Sequence, residues 1–586
     1  MEKWVVLAKR ANFEQIGKKF HIDPVVARII RNRDVIGEDQ INQYLYGEIG
    51  ELYDPKLMKD LVKAVEILKS KIIEHKKIRI IGDYDIDGVQ SVYILMKGLK
   101  RCKADVDTVI PDRILDGYGI NERLIKKAKE EGVDTIITCD NGIAAYDVIK
   151  EAKQAGMTVI ITDHHEVPYE EQDGVRTFIL PPADAVVNPK QEDCNYPYKN
   201  LCGAAVAFKV TQALYEVFQI DEAEAMEFIE AAAFATVGDV MDLTGENRII
   251  VKEGLKILRR TKNKGLRALI LQNNLNLKDI KAYHIGFILG PCLNASGRLD
   301  TANRALNLLL AEDEKEAAIY AKDLTDLNIS RKELTLKGVE EAVSQADTLA
   351  NNNDKIFVVY LPDCHESLAG IIAGRIREKY NRPAFVLTKG EEGVKGSGRS
   401  IESYSMYDEM VRCKEVFTKF GGHPMAAGLS MKEENVEVFR KKINELSPLC
   451  DEDLIPKVKI DVPMPIDYIT KELIEQLDLL EPFGKANEKP VFADKNIKLI
   501  SMRIIGKNKN VCKMKIASER NVCMEALYFG DVNTIREYVQ NKYRETYGKE
   551  LVDEDSIHIS MSFVYYPDIN RYQGKETIQI MIKNFC

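Results

Sequence analysis

The chain has 586 residues, 45% of them hydrophobic and 30% charged, with a formal net charge of −9. This length exceeds what one core supports and predicts two to four domains, while the composition is that of an ordinary globular protein. The acidic balance excludes a polycation that coats nucleic acid through overall charge, so any contact with phosphate has to come from a local basic groove.

No apolar run approaches the ~20 residues of a membrane span, and residues 1–7 lack the apolar core of a signal peptide. The 11 cysteines are odd in number and form no C-x-x-C pair. They predict free thiols in a reducing cytoplasm, most of them buried as small hydrophobes.

Residues 1 to about 50 predict a helical lead-in, and helical spacing of apolar residues predicts a helix over Leu61–Ile73. Apolar strand-like runs follow at 78–81, 106–110, 135–138 and 158–162, with helical patterns at 122–131 and 146–155 between them. This βαβα rhythm predicts a parallel sheet covered on both faces. Residues 203–235 and 250–330 are predominantly helical in pattern. The Ala/Leu/Lys/Glu-rich stretch 312–344 predicts a connecting helix interrupted near Asn328, and Asn351-Asn352-Asn353-Asp354 supplies turn residues after it. A second α/β region starts at a strand over 356–361, and Asp451-Glu452-Asp453 before Pro456 marks its end. Five short strands are then expected at 497–504, 511–516, 522–528, 557–565 and 577–582, which suggests a small β-barrel of OB-fold type.

The chemistry concentrates after the strands of the first region, where open α/β sheets place their sites. Asp83, Asp85 and Asp87 follow the first strand and Asp140-Asn141-Gly142 the third. Asp163-His164-His165-Glu166 follows the fourth, and Asp239 follows the apolar helix over 231–237. Taken singly, these residues also suit turns, helix caps and loops. A turn at Gly88 aims Asp85 and Asp87 at one place. Carboxylates aimed together repel, and a divalent cation removes that cost. One histidine would then serve as a neutral ligand and the other contact phosphate, with Asp163 or Glu166 orienting an imidazole. Asp85, Asp87, Asp140, His164 and Asp239 form a set suited to Mn²⁺ or Mg²⁺ rather than to thiolate zinc. Two ions about 3.5–4 Å apart activate water and stabilise the leaving oxygen of a phosphodiester.

A second group is cationic and glycine-rich: Arg298 in Asn-Ala-Ser-Gly-Arg, Arg375 after Gly374, Ser397 and Arg399 in Gly-Ser-Gly-Arg-Ser, and Gly421-Gly422-His423. Small residues expose backbone N–H groups, and arginine grips phosphate with two parallel hydrogen bonds.

Taken together, Gly-Asp-Tyr-Asp-Ile-Asp-Gly, Asp-Asn-Gly-Ile, Thr-Asp-His-His-Glu and Gly-Asp resemble motifs I to IV of the DHH phosphoesterase superfamily. Residues 421–428 resemble the Gly-Gly-His motif of its DHHA1 domain. More narrowly, the stretches 110–113, 117–121, 243–248, 294–299 and 481–484 resemble the RecJ family of single-strand-specific DNA exonucleases, and the likeness spans roughly residues 60 to 586.

The resemblance implies a parallel-sheet DHH catalytic domain with the lead-in at 1–310 and a connecting helix at 311–350. A smaller α/β DHHA1 domain follows at 351–452 and an OB-fold DNA-binding domain at 453–586. It implies two Mn²⁺ or Mg²⁺ ions, one on Asp85 and Asp140, the other on Asp87, Asp140, His164 and Asp239, with Asp140 bridging. His165 would contact the scissile phosphate. Arg298, Ser397, Arg399, Gly422 and His423 would bind substrate, with Arg375 and Arg113. Smaller relatives carry a histidine where this chain has Ile81, and Asp83 is the residue that would compensate.

The implied reaction is 5′→3′ removal of 5′-mononucleotides from single-stranded DNA during DNA repair and recombination. The implied protein is a cytoplasmic monomer, not membrane-bound, with single-strand-binding protein and a helicase as family partners. Lys498, Arg503, Lys507, Lys509, Lys513 and Lys515 offer charge on the barrel, and Tyr528, Tyr565, Tyr566 and Tyr572 offer stacking surfaces. Two alternatives share the motifs. A phosphodiesterase of oligoribonucleotides or cyclic dinucleotides would be much shorter and lack the barrel. A RecJ-like DNA-binding scaffold would have lost catalytic carboxylates, which this chain retains.

Overall fold

The computed structural model describes residues 2–113, 116–117, 119–172, 175–390, 393–572 and 574–586, without the side chains of Val175 and Tyr572. It divides into two compact units. One comprises Ile49–Asp242 and Glu246–Pro456; the other comprises Glu2–Glu48, Leu243–Gly245 and Lys457–Cys586.

The first unit begins with a five-stranded, all-parallel sheet. Its spatial order is Asp105–Val109, Lys77–Ile81, Thr135–Cys139, Thr158–Thr162 and Ala185–Val187. The first four strands agree with the sequence reading; the fifth was not expected. The chain runs outward from Lys77–Ile81 to one neighbour, then returns to Thr135–Cys139 on its other side. The order therefore reverses between those two strands, where sheets of this kind bind ligands at their carboxyl ends. Apart from the edge strand Asp105–Val109, the strands are almost entirely buried, as expected of a sheet covered on both faces. Helix Ile86–Arg101 is buried along nearly its whole length, as is Gly203–Val217 against it.

Helix Glu314–Asn351 runs unbroken for 38 residues, so the interruption expected at Asn328 is absent. The Asn328 side chain is buried with partners of its own: Nδ2 donates to Cys292 Sγ at 3.4 Å, and Oδ1 accepts from Arg331. A polar residue satisfied in this way has no need to break the helix. Buried positions Ala317, Ala321, Leu324, Asn328, Thr335, Gly338, Ala342, Ala346 and Leu349 recur every three or four residues. That stripe docks the first half on helices of the parallel-sheet region and the second half on Glu366–Tyr380. Beyond it lies a five-stranded sheet in the order Lys419–His423, Ala426–Met431, Gly393–Arg399, Ala384–Gly390 and Phe357–Tyr360. Only its last pair is parallel.

In the second unit Val462–Pro463, Phe492–Ile505, Val511–Ala517, Cys523–Tyr528, Lys575–Phe585 and Ile559–Tyr572 form one sheet in that order. Ile559–Tyr572 pairs also with Phe492–Ile505. The N-terminal lead-in, grouped with the first domain in the sequence reading, belongs to this unit. Strand Lys3–Val6 pairs parallel with Lys457–Ile460. Val26, Ile29, Ile30, Ile41 and Leu45 pack into the same core as Leu473, Leu480 and Phe492. A buried ion pair fixes the join, with Arg33 Nη1 2.8 Å from Asp461 Oδ1. Apolar burial decides where a segment packs, whatever its neighbour in sequence.

All eleven cysteines are free. Among the described residues, no helix is long and apolar enough to cross a membrane.

Candidate active site

The chain leaves strand Lys77–Ile81 and enters helix Ile86–Arg101 with Asp85 as N-cap, whose Oδ1 accepts from the N–H groups of Asp87 and Gly88 at 2.9 and 3.1 Å. Helix entry, rather than an isolated turn at Gly88, is what aims both carboxylates into the site. Asp87 lies in the first turn and accepts from the first N–H groups of another helix: Gly203 N to Oδ2 at 2.6 Å and Ala204 N to Oδ1 at 2.7 Å. Two helix N-termini thus converge on the acidic cluster and offset part of its charge. Gly203 is required there, since a Cβ would lie 2.8 Å from that of Asp140.

Asp140 follows strand Thr135–Cys139 in the left-handed region, φ 60°, a cost that clusters at functional positions. His164 Nε2 lies 3.1 Å from Asp140 Oδ1, 3.5 Å from Asp87 Oδ2 and 4.0 Å from Asp239 Oδ2. Asp83, Asp85 and Asp140 form a second group with ligand atoms within 4.8 Å of one another. Asp140 belongs to both groups. Ile81, where smaller relatives carry histidine, is buried in the core of the sheet.

Burial and the crowding of like charges push Asp83, Asp87 and Asp140 above the ordinary carboxylate range. Burial draws His164 down, which favours the neutral imidazole a metal requires. Asp83 Oδ1 and His164 Nδ1 are buried with no hydrogen-bond partner among the described residues. Five aspartates, one shared between two groups, and a neutral imidazole fit a pair of hard divalent cations in both charge and donor type.

Asp163 orients the second histidine. Its Oδ1 accepts from the N–H groups of His164 and His165 and lies 2.8 Å from His165 Nδ1, while Oδ2 accepts from Ile143 N. Burial raises the Asp163 pKa, but the His165 hydrogen bond and both histidine charges outweigh it and hold the carboxyl at about 2. Burial likewise opposes the charge on His165, yet Asp163, Asp87 and Asp239 raise its pKa to about 9. Glu166, the other candidate for this role, pairs with Lys190 at 2.8 Å.

Arg298 ends helix Gly290–Leu299 and donates from Nη1 to the carbonyl of Ser367 at 2.7 Å, reaching from the parallel-sheet region to the second sheet region. Burial, with repulsion from Arg113 and Arg331, draws its pKa down to about 10. Arg399 is lowered in the same way, by burial and Arg377. Half-buried guanidinium groups held below their ordinary value mark a place short of negative charge.

In the second sheet, Ser397 stands opposite Gly428, which stands opposite Gly421; Arg399 stands opposite Ala426, which stands opposite His423. Opposed residues share a face, and so do residues two apart. Ser397, Arg399 and His423 therefore occupy one face, separated only by glycine and alanine. Gly422, at φ 153°, has no room for a Cβ, which would lie 2.4 Å from the Ala426 carbonyl oxygen. Arg113 lies over the Tyr84 ring, 4.8 Å from its centroid. Arg375 is exposed and pairs with Glu378 at 3.2 Å.

Two positioning residues were not singled out in the sequence: Asn294, whose Oδ1 accepts from Ile86 N at 2.9 Å, and Arg331, whose charge bears on Arg298. Asn294 lies in a quoted motif; nothing in the local sequence marks Arg331.

In the second unit, Tyr565 is fully buried and donates to the Met464 carbonyl at 2.7 Å, so the expectation that it stacks on bases is not met. Arg503 and Lys513 pair with Asp555 and Glu525. Tyr566 is half-buried, with Lys489 3.7 Å from its ring centroid. Tyr118 and the Tyr572 side chain lie outside the described residues.

This arrangement is that of a DHH-type phosphoesterase carrying a DHHA1 domain. Residues 77–236 match the family model for the DHH N-terminal domain, 353–447 that for the DHHA1 domain and 460–584 that for the RecJ OB domain. The single-stranded-DNA-specific exonuclease RecJ of Escherichia coli is 30% identical over 608 residues, covering 100% of this chain and 99% of that protein. The exonuclease of the same name from Bacillus subtilis is 37% identical over 86% of this chain, a match that spans 63% of the relative's length. The crystal structure of RecJ in complex with Mn²⁺ from Thermus thermophilus superposes with a TM-score of 0.79 at 26% identity, covering 100% of this chain and 79% of that one. The chain belongs to the RecJ family.

Proposed function

We propose that this protein is a single-stranded-DNA-specific exonuclease that degrades 5′→3′ to 5′-mononucleotides in DNA repair and recombination, using two Mn²⁺ or Mg²⁺ ions. The observation that carries the reading is the double acidic cluster around Asp140 at the switch point of the sheet. Asp85 and Asp140, with Asp83 beside them, are suited to one ion; Asp87, Asp140, His164 and Asp239 to the other. Bound there, the ions supply Lewis-acid stabilisation of the phosphodiester and lower the pKa of water.

The chain's own groups do the rest. Asp140 is the residue that both sites would share. His165, held by Asp163, presents its imidazole to the scissile phosphate and counters its charge. Arg298 and Arg399 take backbone phosphates as the anions their half-buried charges lack, with Ser397, Gly422 and His423 on the same sheet and Arg113 and Arg375 further out. Every carboxylate of the cluster is present, which argues against a scaffold that binds without cleaving.

The domain division that goes with this reading is DHH to residue 310, connecting helix 311–350, DHHA1 351–452 and OB domain 453–586, with the lead-in assigned to the OB unit. The same reading makes the protein a cytoplasmic monomer that works beside single-strand-binding protein and a helicase.

The test is a time course on 5′-labelled single-stranded and blunt duplex DNA, in Mn²⁺ or EDTA, beside Asp140→Ala. Early release of labelled mononucleotide from the single strand alone, lost in EDTA and in the variant, is expected. Intact DNA throughout, or faster turnover of a dinucleotide than of a long strand, would overturn the reading.

A further inference from the structure

A cavity of about 790 Å³ opens in the first unit away from the metal cluster. It is walled by two of the helices that carry residues of the acidic cluster, at the middle of one and at the far end of the other. Tyr93 lies eight residues along from Asp85 on one, and Glu230 nine residues before Asp239 on the other. At 1.5 Å per residue that places the cavity roughly 12–14 Å along each helix from the acidic groups. Its size is within the range of small-molecule sites.

Three features of the lining select a ligand. The first is Glu230, which is 7% exposed. Its Oε1 accepts from Thr261 Oγ1 at 3.0 Å, whereas Oε2 is buried with no hydrogen-bond partner among the described residues. A buried carboxyl with an unmet oxygen is costly, and Glu230 forms part of the cavity lining. The second feature is a pair of aromatic rings in the wall, Tyr93 and Phe228, edge to face at 6.2 Å. The third is a basic rim of Lys97, Arg260, Lys262 and Lys264. Two carboxylates answer it: Glu227 pairs with Lys262 at 2.7 Å, and Glu312 with Lys97 at 3.7 Å. Arg260 is exposed and ion-paired with no described residue.

We propose that this cavity is a second, non-catalytic site for a nucleoside phosphate, with N–H or O–H donors of its base or sugar on Glu230, the base against Tyr93 and Phe228, and the phosphate on Arg260 and its neighbouring lysines. A free anion satisfies only the rim, and an uncharged heterocycle only the floor. A nucleotide joins a flat ring, donors and an anion in one molecule, which is the combination the lining offers.

Calorimetric titration of the full chain in EDTA tests this, using AMP, GMP, CMP and UMP in turn beside adenosine and inorganic phosphate. Saturable binding of at least one nucleotide, ten-fold or more tighter than either fragment, is expected. Arg260→Ser, at an exposed position that leaves the fold intact, is expected to weaken it ten-fold or more, and Arg298→Ala to leave it unchanged. Glu230→Gln gives a second reading where it folds. Three results would overturn the proposal: no saturation by any of the four nucleotides, phosphate binding as tightly as the nucleotides, or binding abolished by Arg298→Ala and untouched by Arg260→Ser.

Discussion

Arg298 Nη1 donates to the Ser367 carbonyl at 2.7 Å, tying the helix that follows the catalytic sheet to the helix that covers the second one. One guanidinium edge is thus spent on positioning, and the others remain for phosphate. Lysine keeps the charge but cannot do both. Arg298→Lys is expected to lower kcat/KM on single-stranded DNA by about 10–100-fold, the range for a charged hydrogen bond of roughly 1.5–3 kcal/mol. Thermal melting should show little change. Steady-state kinetics beside a melting curve checks it.

Asp140→Asn isolates charge from shape, because asparagine tolerates the φ of 60° found there. Without metal, Asp83, Asp87 and Asp140 have pKa values raised above those of the unfolded chain. Their stabilising contribution is complete below the unfolded value and is lost as pH rises through the folded ones. Melting in EDTA should therefore weaken toward high pH in the native protein and less so in the variant. Mn²⁺ should raise the melting temperature of the native protein and have a much smaller effect on the variant.

The same raised values mean that metal entry expels protons. Calorimetric titration of the metal-free protein with Mn²⁺ on the acid side of neutrality, in two buffers of different ionisation enthalpy, should show net proton release. Release should diminish in Asp140→Asn.

Asp163 is not expected to touch metal or substrate, yet it holds His165. Asp163→Asn removes the charge and should let the His165 pKa fall from about 9 in the metal-free protein. An orienting partner of this kind is worth roughly 10–100-fold in activity. A lowered kcat, with the His165 titration seen by NMR moving down, is the expected pair of results. An unchanged titration would sink the assignment.

Burial pushes the Glu230 carboxyl up from 4.5 to about 7. Its stabilising contribution is full below the unfolded value and is lost as pH rises through the folded one. Glu230→Gln should match the native protein near pH 4 and exceed it at pH 8, by on the order of 3 kcal/mol. Chemical denaturation at the two pH values checks it.

Much of the site was legible in the sequence because its residues sit directly after apolar strands, and strand ends on one edge of a parallel sheet meet without long-range information. The four first-region strands, Asp85, Asp87, Asp140 and His164 follow from that rule, whereas Asp239 is marked by the apolar helix that it caps. Arg331 was not legible, since nothing in a long charged helix distinguishes a lysine or arginine on its solvent face from one beside Arg298. Tyr565 was misread as a surface ring because alternation in a strand does not say which face is the core; its hydroxyl bond to Met464 settles that.

Local sequence determined what each segment is: strands from apolar runs, helix starts from Asp85 and Asp313, ligand types from carboxylate and imidazole. Tertiary structure alone decided what each segment meets. It placed the lead-in in the core of the second unit through Arg33 and Asp461, set Gly203 N–H against Asp87, gave the His165 orienting role to Asp163 rather than Glu166, and left Glu230 facing a cavity. Periodicity reports which side of an element is apolar, but packing and the pairing of buried charge select among the surfaces that could cover it.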